Sequence, residues 1–110
     1  MPTTDPGTSE AILGGLRQWV ELESPTTDPS AVNRLIDLAE SQLRGAGAAV
    51  TRITGREGYG DMLRARIGHA EGRGILVAGH LDTVWATGTL ATMPFRIEGE
   101  RAHGPGIYDM

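Results

Sequence analysis

The stretch "ILVAGHLDTV", residues 75–84, decides the fold that we predict for this chain. Residues 75–78 are apolar at every position, which favours an interior strand from Gly74 to Gly79 that is covered on both faces. His80 and Asp82 follow directly, at the point where the predicted strand ends. Open α/β sheets bind their ligands at the carboxyl ends of their strands. The two polar side chains therefore stand where a binding site is expected.

Two helices are predicted upstream of this stretch. The first runs from Ser9, as its N-cap, to about Glu23, where Pro25 in "ESPTTDPS" follows and breaks the pattern. The second begins cleanly, because Asp28 can cap it and Pro29 suits its first turn. Its apolar side chains recur at helical spacing as far as residue 43.

Short strands are predicted between and after these elements. Residues 49–54 form a weakly alternating run, and residues 61–68 alternate apolar side chains with arginines, as in a half-buried strand. The segment "PFRIEGE", residues 94–100, predicts one more strand, with Phe95 and Ile97 on one side. His69 lies in a polar turn and is expected to be solvated. Helices followed by strands in this order predict an α/β domain over residues 9–110, preceded by a flexible leader over residues 1–8.

Composition excludes several classes of partner and site. The formal charge is −4, with 10 basic and 14 acidic residues spread along the chain, so no basic block invites nucleic acid. The absence of cysteine excludes disulfides and thiolate metal ligands. The first ten residues lack the basic and apolar regions of a signal peptide, and no long apolar run follows. We expect a cytoplasmic protein that binds neither nucleic acid nor a membrane.

The pair His80 and Asp82 is the strongest candidate site. A metal-bound imidazole usually donates its second N–H to a carboxylate, and Asp82 is near enough in sequence to accept it. The alternative, a histidine at a strand end held by a local hydrogen bond, stays open at this point. The turn "GPG" at residues 104–106 could aim Asp109 into a site or only shape a surface. His103 has no obvious orienting carboxylate in the sequence.

Together these segments carry a resemblance that none of them carries alone. Residues 75–110, "ILVAGHLDTVWATGTLATMPFRIEGERAHGPGIYDM", and residues 23–50, "ESPTTDPSAVNRLIDLAESQLRGAGAAV", resemble one family of dinuclear zinc metallopeptidases and aminoacylases. This family includes glutamate carboxypeptidase, acetylornithine deacetylase and succinyl-diaminopimelate desuccinylase. The segment "TVW…GTL…MPFRIEGERAHGPG" within residues 83–106 is most similar to the glutamate carboxypeptidase branch.

The resemblance implies a fold and a metal site. The fold would be a three-layer zinc-exopeptidase catalytic domain with a mixed sheet between helices, of which residues 9–110 form an incomplete N-terminal portion. His80 would ligate one zinc ion, Asp109 would bridge two Zn²⁺ ions, and Asp82 would orient His80. The chain would be truncated after the bridging Asp109, because the family's general-base glutamate and its other ligands follow later in the sequence.

The resemblance also implies an activity. We expect a zinc-dependent hydrolase of amide bonds, of the carboxypeptidase or N-acyl-amino-acid hydrolase type, acting on a small peptide or an N-acyl amino acid. The full-length protein would be a homodimer. The 110-residue chain alone would bind metal weakly and be inactive, since His80 and Asp109 are the only family ligands that it contains.

Two other functions compete with this one. A metallo-β-lactamase-like or urease-like enzyme needs His-x-His clusters, and position 82 is aspartate, which disfavours it. A non-catalytic binding or interaction module that reuses the same scaffold is the remaining alternative. A coding sequence that continues after codon 110 with "KGG" and then a Glu-Glu pair would favour the enzyme.

Overall fold

The computed structural model describes residues 5–68 and 71–109. The sequence-based expectations for His69 and for the first half of the leader fall outside these residues. The elements follow in the order α1 (Ser9–Val20), α2 (Pro29–Gly45), β1 (Ala49–Ile53), β2 (Met62–Arg66), α3 (Thr89–Thr92), β3 (Arg96–Glu98) and β4 (Arg101–His103). The result is a mixture of helices and small antiparallel sheets, which agrees with the α/β composition predicted from the sequence.

Helix α2 supplies most of the core and begins as the sequence predicts. The Asp28 carboxylate accepts a hydrogen bond from the backbone N–H of Ala31 at 3.1 Å, and Pro29 occupies the first turn. These features satisfy or remove N–H groups that have no partner within the helix. The buried face follows the predicted helical spacing, and Leu35 at its centre is fully buried. The buried residues of this face are Ala31, Val32, Leu35, Ile36 and Ala39.

Helix α1 starts at Ser9, but its cap lies one residue earlier than predicted. The Thr8 hydroxyl accepts a hydrogen bond from the N–H of Ala11 at 3.2 Å, so Thr8 and not Ser9 is the N-cap. The helix ends at Val20, short of the predicted end near residue 23. The indole N–H of Trp19 donates to the Gln42 side chain at 2.7 Å, which ties α1 to α2. Within the described ranges, no helix is long and apolar enough to cross a membrane.

Strands β1 and β2 form an antiparallel pair that packs on α2. In its register Val50 lies opposite Ala65, and Arg52 lies opposite Leu63. Both strands were predicted, but the predicted half-buried alternation of β2 holds only at Leu63, because Ala65 is exposed and Ile67 is 72% exposed. The β1–β2 pair therefore buries little of its side-chain surface against the core.

Charged side chains fasten this hairpin to α2. The Arg52 guanidinium donates to Asp61 at 2.8 Å, to Glu40 at 3.2 Å and to Asp37. The backbone N–H of Gly55 and then Arg52 hold the pKa of Asp61 below its usual value. Arg44 and then Arg52 lower the pKa of Glu40 in the same way. One arginine thus links the helix to both ends of the β1–β2 connection.

Strands β3 and β4 form a second hairpin, of which the sequence predicted only the first strand. Gly99 has φ 60°, which suits the first central position of a type II′ turn, where glycine is favoured. The predicted common side of Phe95 and Ile97 is not buried as a unit. Phe95 precedes β3 and is buried, whereas Ile97 is 55% exposed.

The predicted interior strand from Gly74 to Gly79 is wrong for this structure. The segment has neither helix nor strand, and Ile75, Leu76 and Val77 are 94%, 91% and 87% exposed. An interior strand needs hydrogen-bonded neighbours on both sides and a covering layer on each face. Among the described residues β1 pairs with β2 and β3 with β4, and neither sheet includes residues 74–79 as a third strand. The mixed sheet of the predicted three-layer architecture is likewise not found among them.

Candidate functional site

Residues 79–84, which contain His80 and Asp82, are held by the connection between α1 and α2. The N–H of Thr83 donates to the carbonyl of Ser24 at 2.8 Å, and the N–H of Thr26 donates to the carbonyl of Thr83 at 2.9 Å. The two bonds form an isolated parallel bridge between Pro25 and Thr83. The Ser24 hydroxyl is buried and donates to the carbonyl of Leu81 at 2.8 Å. The "ESPTTD" segment is therefore the support on which the His-x-Asp stretch rests.

The His80 ring is held through Nδ1 by Asp82. Nδ1 lies 3.0 Å from the backbone carbonyl oxygen of Asp82 and 3.3 Å from its carboxylate oxygen Oδ1. Both partners are acceptors, so the neutral ring places its proton on Nδ1. Nε2 then carries the lone pair, and no described residue hydrogen-bonds to it. This tautomer is the one a metal ligand requires at Nε2.

A threonine completes this arrangement from the other side of the carboxylate. The Thr26 hydroxyl lies 2.6 Å from Oδ2 of Asp82 and 3.1 Å from the carbonyl oxygen of Thr83. Sequence reasoning missed Thr26, because it lies 56 residues from Asp82 and no local pattern joins the two. The useful signal would have been the polar "SPTTD" connection itself, which carries more hydroxyls than a helix-breaking loop needs.

His80 and Asp82 line an open cleft of about 710 Å³. The lining also includes residues of the β1–β2 connection, where Glu57 and Gly58 have φ 59° and 84°. Two consecutive positive φ values make a tight turn, and the N–H of Tyr59 closes it on the carbonyl of Arg56 at 3.1 Å. The cleft is large enough for a small organic ligand.

The turn at residues 104–106 packs against the His-x-Asp stretch. Gly106 has φ 79°, and a Cβ on it would lie 2.5 Å from Cγ2 of Thr83. A Cβ on Gly104 would lie 2.8 Å from the Val20 side chain. The two motifs singled out in the sequence therefore meet at Thr83. Asp109 follows this turn on the surface, where its N–H donates to the carbonyl of Gly106 at 3.2 Å.

The described residues supply one oriented imidazole and do not complete a metal site. Asp109 is not among the residues lining the cleft that contains His80, and no group of three or more potential ligands is close enough to hold an ion within residues 5–68 and 71–109. The donor set at His80 nevertheless fits a metal, because Nδ1 is engaged and Nε2 is free. The shared site of His80 and Asp109 remains a prediction.

His103 differs from His80 in the burial of its ring nitrogen and in lacking, among the described residues, a hydrogen bond that holds the ring. Its Nε2 is buried without a hydrogen-bond partner and lies 3.6 Å from the Glu98 carboxylate, too far for a hydrogen bond. Arg96 at 2.5 Å is the main cause that keeps the pKa of Glu98 low. His103 therefore belongs to the β3–β4 hairpin, and His80 is the histidine presented to the cleft.

Comparison with known proteins gives one informative relative. The chain is 35% identical over 100 residues to Carboxypeptidase G2 of Pseudomonas sp. (strain RS-16). The match covers 90% of this chain and 24% of that protein, so the chain spans about a quarter of its relative's length. It leaves about ten of the 110 residues outside, and therefore includes the His-x-Asp stretch wherever it begins. No family model matches the chain. The similarity is to a carboxypeptidase and does not select a branch of the family that the sequence resembles.

Proposed function

We propose that this chain forms part of a metal-dependent hydrolase of amide bonds, of the carboxypeptidase or N-acyl-amino-acid hydrolase type. The observation that carries the proposal is the 35% identity to a carboxypeptidase across the His-x-Asp stretch. The local geometry supports it, because His80 faces a cleft with Nδ1 held and Nε2 free.

Each residue has a distinct role in this proposal. His80 would ligate a zinc ion through Nε2, with Asp82 holding the ring and strengthening its basicity. Asp109 would be the second family ligand, shared by two Zn²⁺ ions, and its turn packs against Thr83 beside Asp82. When bound, the metal pair would polarise the scissile carbonyl and supply hydroxide at neutral pH.

The finer features of the proposal follow the family resemblance. Residues 9–110 would be the N-terminal portion of a three-layer zinc-exopeptidase domain. The substrate would be a small peptide or an N-acyl amino acid, and the whole enzyme a cytoplasmic homodimer.

Metal binding by the chain is the direct test. We expect Zn²⁺ binding, measured by calorimetry, to be weak and to disappear in His80→Ala, because one imidazole provides most of the affinity. His103→Ala is the matched control and should bind as the unaltered chain does, since its ring lies in the β3–β4 hairpin. An equal loss of zinc affinity in both variants, or zinc binding that survives His80→Ala, would contradict the proposed metal site at His80.

An activity assay of the same chain tests whether the two metal ligands that it contains suffice for catalysis. With zinc added, we expect no hydrolysis of an N-acyl-glutamate, because catalytic zinc normally has three protein ligands and this chain offers His80 and Asp109. Turnover that His80→Ala abolishes would show that two ligands suffice and would make that expectation wrong.

A non-catalytic binding module is the second candidate function. The open cleft of about 710 Å³ favours a binding module, because among the described residues the cleft is present although no metal site is completed. A module of this kind would bind an N-acyl amino acid equally well with and without zinc, and in His80→Ala. The enzyme proposal requires a coding sequence that continues with a Glu-Glu pair, so reading the codons after Met110 distinguishes the two.

A further inference from the structure

We propose that Thr26 is a positioning residue whose hydroxyl fixes the Asp82 carboxylate, so that His80 keeps Nε2 free for a metal. This inference rests on the metal-binding function proposed above. Thr26 lies on the connection between α1 and α2, outside the His-x-Asp stretch. The hydrogen bonds between this connection and residues 81–83 bring it to the site.

The distances describe a chain of three side chains. The Thr26 hydroxyl donates to Oδ2 of Asp82 at 2.6 Å, the length of a hydrogen bond to an ionised carboxylate. Oδ1, the other oxygen of the same carboxylate, faces Nδ1 of His80 at 3.3 Å. Holding one oxygen fixes the direction of the other, because the two share a rigid plane. Thr26 thereby fixes the carboxylate oxygen that faces the His80 ring.

Thr26 is itself held firmly enough to do this. Its backbone N–H donates to the carbonyl of Thr83 at 2.9 Å, and the N–H of Thr83 donates in turn to the carbonyl of Ser24 at 2.8 Å. Thr26 is only partly exposed, and Asp82 keeps one third of its side-chain surface in solvent. Without the threonine hydroxyl, Oδ2 would turn to water and the carboxylate plane would be free to rotate.

The Asp82 backbone adds a second acceptor that Thr26 does not control. The carbonyl oxygen of Asp82 lies 3.0 Å from Nδ1 of His80, so part of the ring's orientation survives any change at position 26. The effect of losing the hydroxyl is therefore a weakening, about 10-fold in metal affinity, at the lower end of the range for groups that support metal ligands.

Three substitutions isolate the hydroxyl. Thr26→Val keeps the branched shape and removes the donor, whereas Thr26→Ser keeps the donor. Ser24→Ala is the matched control, because it deletes a neighbouring hydroxyl that bonds the Leu81 carbonyl and does not touch the carboxylate. Combining Thr26→Val with Asp82→Ala tests whether the two residues act through each other.

Two measurements on the 110-residue chain are needed, one without metal and one with it. Ring ¹⁵N chemical shifts, recorded without metal at a pH where His80 is neutral, report which nitrogen carries the proton. Calorimetry with Zn²⁺ reports the affinity. We expect Thr26→Val to weaken the Nδ1–H preference and to lower the Zn²⁺ affinity about 10-fold. Thr26→Ser and Ser24→Ala should keep both, and Thr26→Val should have no further effect once Asp82 is alanine.

The outcomes separate this inference from the function on which it rests. An unchanged tautomer in Thr26→Val overturns the inference. An equal effect of Ser24→Ala also overturns it, because the contact between the α1–α2 connection and residues 81–83, and not the Asp82 carboxylate, would then be responsible. An effect of Thr26→Val that persists beside Asp82→Ala overturns it too. A tautomer shift in a chain that binds no zinc through His80 leaves the positioning role standing and refutes the proposed metal site.

Discussion

Replacing Gly106 by alanine tests whether the turn at residues 104–106 packs against the His-x-Asp stretch. Two costs add at this position. The backbone has φ 79°, where a Cβ costs roughly 1–2 kcal/mol. The new Cβ would also lie 2.5 Å from Cγ2 of Thr83 and 3.3 Å from its Cβ, and overpacking of this kind costs roughly 1–3 kcal/mol. We expect Gly106→Ala to lower the free energy of unfolding by about 2–5 kcal/mol.

Two further variants separate these costs. Gly58 has φ 84°, and a Cβ on it would meet no atom within 4 Å, so Gly58→Ala carries the backbone cost alone. Thr83→Ser removes Cγ2 and keeps the hydroxyl that accepts from the N–H of Trp85 at 3.3 Å. In that background Gly106→Ala should cost about as much as Gly58→Ala. The reduced entropy of the unfolded chain stabilises both alanine variants similarly and cancels in the comparison.

Urea unfolding followed by circular dichroism and tryptophan fluorescence measures these differences. Trp85 lies two residues from Thr83, so its fluorescence reports the same edge of the molecule. The packing of the turn on Thr83 is refuted if Gly106→Ala costs no more than Gly58→Ala, or if Thr83→Ser gives no relief. The proposal that Asp109 shares a site with His80 would then lose its structural support.

Three other predictions concern stability and association. The pKa values of Asp61 and Glu40 are lower in the folded chain than their usual values, so their stabilising contribution is complete above roughly pH 4.5 and is lost as the pH falls through the folded pKa values. Acid unfolding followed by circular dichroism should therefore be less steep in Arg52→Met, and an unchanged profile would exclude the Arg52 contacts as its cause. Leu35→Ala should cost about 2–5 kcal/mol in urea unfolding, because Leu35 is fully buried, while Leu13→Ala in the half-buried face of α1 should cost less. Leu76→Lys should reduce self-association, measured by light scattering, without loss of helix content, since Leu76 is 91% exposed. Unchanged scattering would exclude residues 74–79 as the segment through which copies of the chain associate.

The parts of the fold that local chemistry determines were predictable from the sequence. The start of α2 follows from Asp28 and Pro29, and its buried face follows from helical spacing, because both depend on residues within a few positions of each other. The β3–β4 hairpin could have been predicted in full from Gly99, which lies between two short extended runs.

The parts that depend on distant partners were not predictable. Residues 74–79 have the composition of an interior strand, but composition gives a tendency and the pairing must come from elsewhere in the chain. The contact between Thr26 and Asp82 joins positions 56 residues apart, and it became visible only when the bridge between Pro25 and Thr83 was known. His80 and Asp82 were identifiable as candidates because they lie two positions apart in the sequence.

The bridge between Pro25 and Thr83 also has consequences for the order in which the molecule assembles. The Ser24 hydroxyl and the Leu81 carbonyl that it joins are 57 residues apart, and closing a flexible loop of that length costs about 4 kcal/mol in chain entropy. Helix α2 and the β1–β2 hairpin rely on much nearer partners, so we expect them to form first. The edge that carries His80 should then be the last region to close and the first to open. Native-state hydrogen exchange would show this as a Thr83 amide that exchanges at lower free energy than the amide of Leu35.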